Sequence, residues 1–110
     1  MLILKEFDEC LIAYLECALW SSSEESLNDA VIDDIAHECI DEAIADLKSF
    51  LDSAERILKL TELSPSEIGH NYWLTREGHG TGFWDRGLGK VGDDLTEISK
   101  WGGTQEIYLK

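Results

Sequence analysis

Leu4, Phe7, Leu11, Tyr14, Leu15, Ala18 and Leu19 recur at steps of three and four, the period of a helix that turns one face to a core. The pattern predicts a first helix over about 4–20, with Trp20 at its end anchoring the next loop onto the core. SSSEESLND reads as that loop, because its small polar side chains compete for backbone hydrogen bonds. The helical step resumes at Ile35 and runs through Cys39, Ile40, Ala43, Leu47, Phe50, Leu51, Ala54 and Leu58. It predicts a second helix over about 33–60, with Pro65 and Gly69 closing the helical region.

From His70 the pattern changes. HNYWLT favours β structure, REGHGTG is a glycine-dense turn, and GFWD resumes with aromatics, so the block predicts a hairpin. GDDLTEISKW has an acidic start and apolar Leu95, Ile98 and Trp101, predicting a short helix ended by Gly102 and Gly103. EIYL reads as a final strand. The expected order is ααββαβ, an α+β fold in which two N-terminal helices pack on a small antiparallel sheet.

A chain of 110 residues, 44% hydrophobic with a single proline, suits one domain with a buried core. Within it, 1–65 forms an acidic helical part, and 66–110 holds the aromatic and glycine-rich hairpin, the short helix and the last strand. No stretch approaches the roughly 18 apolar residues of a membrane span, and MLILKEFDEC lacks a basic flank, so a cytoplasmic location is expected. Cys10, Cys17 and Cys39 are odd in number and lack CxxC spacing, which predicts reduced, partly buried thiols. A metal site built from Cys10, Cys17, His37 and Cys39 is the less favoured reading, with His37 a partly exposed helix residue. No metal or other cofactor is expected.

Charge adds direction. The 23 acids and 9 bases leave a formal −14, which excludes a general binder of phosphate backbones. Residues 1–69 hold 17 of the acids and 4 of the bases, whereas 70–110 hold 6 and 5. On the second helix Asp34, Glu38, Glu42 and Asp46 stand four apart, with Asp41 beside them. They would line one face at about 6 Å per step, near the spacing of phosphates along a nucleic-acid strand. No alternating Lys or Arg relieves their repulsion. The arrangement points to a chain that occupies a basic groove meant for nucleic acid, so that its partner is a basic protein surface. The competing reading is a solvated face, with Asp33 and Asp34 as helix caps.

A second constellation, in HNYWLTREGHGTGFWDRGLG, gathers His70, Arg76, His79, Asp85 and Arg86 around glycines. A His near a carboxylate could exchange protons and an Arg could hold an oxyanion. GxSxG, HExxH and Walker spacings are all missing, so an enzyme is not expected. Gly78, Gly80 and Gly82 would serve the turn, and the tryptophans would fill the core. Alternatively, Trp73, Arg76, His79, Phe83 and Trp84 form an exposed protein-binding patch on the hairpin. Part of the second helix's apolar face could also serve a homodimer.

YLECALWSSSEES at 14–26, DDIA at 33–36, GHNYWLTREGHGTGFWDRGLGKVGDDLTEISK at 69–100 and the closing IYL resemble a family of small proteins encoded by tailed bacteriophages. The resemblance spans most of the chain. It implies a setting in the host cytoplasm of an infected bacterium and brings no catalytic residues. The family's pattern has a proline where this chain has His37, implying that the long helix begins near 37 and that DDIA is a separate turn. Asp34 would then leave the stripe, while Glu38, Glu42 and Asp46 remain. Small, acidic, phage-like and without a catalytic signature, the chain is expected to be an anti-defence inhibitor of the anti-CRISPR or anti-restriction type. Its acids Glu38, Asp41, Glu42 and Asp46 would face Lys and Arg of a host nucleic-acid-binding or defence protein. The alternative is a phage accessory module that binds protein through the aromatic hairpin.

Overall fold

A computed structural model describes residues 4–78 and 81–110 of the chain. It contains α1 (Leu4–Trp20), α2 (Glu25–Asn28), α3 (His37–Leu58), α4 (Pro65–Arg76) and α5 (Lys90–Ser99), with 3₁₀ turns at Ile32–Asp34 and Phe83–Asp85. The α+β expectation is therefore overturned. Among the described residues there is no strand, and the only β pairing is an isolated bridge between Ile35 and Leu109. EIYL supplies one side of that bridge and no more. SSSEESLND, expected as a loop, contains the single turn of α2.

α1 occupies the predicted range and buries Cys10, Tyr14, Leu15, Cys17, Ala18 and Leu19. α3 buries Cys39, Ala43, Leu47, Phe50 and Ala54 at the helical step, while Ile40, Leu51 and Leu58 pack half-buried against the core. It begins at His37, where the bacteriophage resemblance implied a start, and not at 33. Two local causes hold the preceding residues out of the helix. The Asp34 carboxylate accepts from the Val31 N–H at 3.0 Å and closes the 3₁₀ turn. The C-terminal tail then claims the backbone on either side of Ile35: Ala36 N–H donates to the Tyr108 carbonyl at 3.0 Å, and Lys110 N–H to the Asp34 carbonyl at 2.9 Å.

The expected hairpin is the largest correction, because HNYWLT lies inside a helix. Pro65 opens α4 instead of closing the region before it. Ser64 Oγ accepts from Glu67 N–H at 3.2 Å and the Glu67 carboxylate accepts from Ser64 N–H at 2.9 Å, a capping box with proline in the first turn. From Ile68 to Arg76 every residue of α4 except His70 is buried. A helix covered on all sides has no polar face to reveal its period, and its aromatic and threonine residues resemble those of a strand.

α1 packs against α4 at very short range. A Cβ on Gly69 would run into the carbonyl oxygen of Cys10, lying 2.9 Å from its carbonyl carbon and 3.1 Å from the Tyr14 nitrogen. Only glycine permits this approach. Stacked rings continue the core: Phe50 on Tyr72 at 4.2 Å, Tyr72 with Tyr14 at 5.5 Å, and Phe50 with Phe83 at 5.8 Å between centroids. The indole N–H of Trp73 donates to Ser21 Oγ at 2.9 Å and pins the chain leaving α1. Phe83, in its 3₁₀ turn, is fully buried and donates its N–H to Thr75 Oγ1 at 3.1 Å. α5 matches the predicted short helix and buries Leu95 and Ile98, but Trp101 follows its end and is exposed.

Candidate functional site

The residues proposed for a site separate into those the fold consumes and those it leaves free. Arg76, placed in the exposed-hairpin reading, is buried at the centre of a polar network. Its Nη1 donates to Asp46 Oδ2 at 2.9 Å and to the Tyr14 hydroxyl at 3.0 Å, its Nε to the Gly103 carbonyl at 2.9 Å, and its Nη2 to the Gly102 carbonyl at 3.4 Å. The guanidinium also lies over the Tyr72 ring. The Tyr14 hydroxyl donates onward to Gln105 Oε1 at 2.7 Å, and Gln105 Nε2 donates to the Cys39 carbonyl at 2.8 Å. Burial works against the Arg76 charge, but the two tyrosine hydroxyls and the Asp46 carboxylate more than offset it. Burial likewise holds the Tyr14 hydroxyl protonated far above the ordinary phenol range, although Arg76 pulls the other way. Four of the five guanidinium N–H donors are thus engaged within the fold, and the side chain has no solvent exposure through which to meet a substrate oxyanion. Among the described residues, no buried side-chain nitrogen or oxygen lacks a partner.

This network dismantles the acidic stripe. Asp46 belongs to Arg76, and Asp34 lies in the 3₁₀ turn before α3. Glu38 stays exposed and accepts from the Tyr108 hydroxyl at 3.0 Å. That bond, with burial and the Glu38 charge, pushes the Tyr108 hydroxyl up to about 12. Asp41 and Glu42 are exposed and make no hydrogen bond or ion pair among the described residues. The free acidic surface is thus the first turns of α3, joined in sequence to Asp33 and Asp34. In sequence the stretch is free of bases: from Lys5 to Lys48 the chain has no intervening Lys or Arg and carries 13 Asp and Glu, and the base brought to Asp34 is Lys110 of the C-terminal tail.

The aromatic patch is also taken apart. Trp73 and Phe83 are buried, Trp84 is exposed, and His79 lies outside the described residues. Of the groups weighed for acid–base chemistry, Asp85 is exposed on the second 3₁₀ turn. His70 is half-buried on α4, with burial and then the Arg86 charge lowering its pKa. Cys10, Cys17 and Cys39 are free and buried, and His37 is exposed. Among the described residues, no group of three or more His, Cys, Asp or Glu side chains is placed to hold a metal ion.

One feature escaped the sequence reading. Trp20, expected to anchor a loop, is 72% exposed, because Trp73 and Ser21 fasten that loop instead. Its step of four from Glu16, on the polar side of α1, was the available signal.

No family model, curated protein or solved structure matches the chain. Among the described residues, no helix is long and apolar enough to cross a membrane.

Proposed function

We propose that this chain is a phage-encoded anti-defence inhibitor, acting without catalysis, that presents an acidic surface to a basic, nucleic-acid-handling groove of a host protein. The observation that carries this reading is the base-free acidic stretch, whose Asp41 and Glu42 are exposed and uncommitted at the start of α3 beside Glu38. Carboxylates on a rigid helix keep their spacing on binding and steer association with a basic partner, and such attraction weakens as salt rises. The bacteriophage resemblance supports the setting.

The test is phage challenge of bacteria carrying CRISPR–Cas or restriction systems, with and without the chain. Wild type should restore plaquing against at least one system, and Asp41→Lys with Glu42→Lys should abolish the effect while leaving the circular dichroism spectrum unchanged. Asp46 is excluded from the reversal because it neutralises buried Arg76. Full protection by the double variant would sink the reading, as would failure of wild type against every system tested.

A further inference from the structure

Asp8, Ile12, Glu16 and Trp20 follow one another at four-residue steps along α1, and all four are exposed. Acids alternate with large apolar side chains on this outward stripe. Ile12 is 47% exposed and Trp20 72%, while Val31, across the loop, is 62% exposed. Two grooves meet along the same ridge, both lined by Glu16 and Trp20. One, of about 630 Å³, runs between the ridge and Val31 and Asp33. The other, of about 500 Å³, runs toward Glu67, His70 and Arg86.

Trp20 adds little to the fold from this position. Its nearest ring is His70, at 6.3 Å between centroids, and most of the indole meets water. A single exposed apolar residue needs no explanation, but a tryptophan with an isoleucine on its own stripe, a valine opposite and a groove on each side has the form of a binding anchor. Charge selects the occupant. Glu16 lies on the ridge, Asp33 and Glu67 line the grooves, and the one cation of their lining, Arg86, acts on Glu67 and favours its ionised form, which leaves the lining net negative. A nucleic acid would meet repulsion, and a second copy would bring the same carboxylates together. An arginine satisfies both features at once, because its planar guanidinium can stack on an indole while pairing with a carboxylate.

We propose that the Ile12–Glu16–Trp20 ridge of α1 is a docking surface for an apolar protein segment that carries arginine, with the guanidinium over Trp20 and paired to Glu16. This goes beyond the charge competition assigned to the start of α3 and does not depend on it.

The test titrates the isotope-labelled full chain with a synthetic peptide of alternating leucine and arginine at physiological salt, followed by NMR. The Trp20 indole N–H signal should shift, together with the Ile12 and Val31 methyl signals. Trp20→Ala should weaken binding about tenfold or more, in the range of an interface anchor. Glu16→Gln should weaken it less, Trp84→Ala should leave it unchanged, and a lysine version of the peptide should bind several-fold more weakly. Trp20 is exposed, so its variant should keep the wild-type melting temperature. The proposal is overturned if the shifts gather on Asp41 and Glu42 with Trp20 unmoved, or if Trp20→Ala binds as wild type. It is equally overturned if sedimentation reveals a dimer that Trp20→Ala dissolves, which would assign the ridge to a second copy. The two readings fail separately: Asp41→Lys with Glu42→Lys should still bind the peptide through Trp20 while losing protection.

Discussion

Asp46→Ala and Arg76→Met break the same ion pair from opposite ends, and the structure makes the two losses unequal. The Arg76 side chain has no solvent exposure, whereas that of Asp46 is 28% exposed. Without Asp46, the guanidinium stays buried against neutral acceptors only: the Tyr14 hydroxyl and the carbonyls of Gly102 and Gly103. Removing one member of a buried pair costs about 3–5 kcal/mol, and the partial exposure of Asp46 lowers the expected loss to about 2–4 kcal/mol. Without Arg76, the carboxylate left behind already meets water, and Tyr14 keeps Gln105 as its acceptor. Methionine also retains apolar contact with the Tyr72 ring, leaving a loss of about 1–2 kcal/mol. Asp46→Ala should therefore be the more damaging by about 1–2 kcal/mol, and the double variant should resemble Arg76→Met. Urea unfolding followed by far-UV circular dichroism resolves such differences in a domain worth about 5–15 kcal/mol. If Arg76→Met proves as costly as Asp46→Ala, the unpaired charge is not the dominant penalty and the reasoning fails.

Gly69→Ala forces a Cβ onto the backbone of α1, where no side chain can yield, so a loss at the upper end of overpacking, about 3 kcal/mol, is expected in thermal unfolding. An unchanged midpoint would mean that α1 and α4 are not this close. Ser64→Ala removes the acceptor of the α4 capping box and should cost about 1 kcal/mol by urea titration; a neutral result would contradict the cap. Burial pushes the Cys10 and Cys17 thiols up to about 12, against a pull from Ser21 at Cys17. The native protein should therefore resist an aromatic disulfide reagent at mildly alkaline pH, while the urea-unfolded chain reacts. The folded state holds these protons longer than the unfolded state, so this contribution to stability is intact below pH 9.0 and is lost as pH rises toward about 12. Rapid labelling of the native chain would show that these thiols are not shielded.

α1 and most of α3 were legible because each buries one face, and one-sided burial is what a three-and-four period records. α4 was not, since burial all round removes the polar half of the pattern; Ser64, Pro65 and Glu67 were the available sign of a helix start. The acidic stripe was half legible. Spacing placed Glu38, Glu42 and Asp46 along one helix, but it could not show that Arg76, 30 residues on, would claim Asp46. The exposure of Trp20 was not legible for a related reason: hydrophobicity predicts burial on average and cannot identify the aromatic a surface keeps.

The Tyr14 to Gln105 bond joins residues 91 positions apart, and Arg76 takes two of its acceptors from Gly102 and Gly103. During synthesis, the ribosome delivers α1, α3 and α4 before it delivers the residues that complete their shared centre. Until the tail emerges, Arg76 lacks the Gly102 and Gly103 carbonyls, and the donors they would satisfy can bond only to water. The centre is thus completed only by a closure of distant parts, a contact of long sequence separation with a correspondingly high chain-entropy cost. A chain stalled before Gly102 would hold most of its helices and lack the clasp that fixes them.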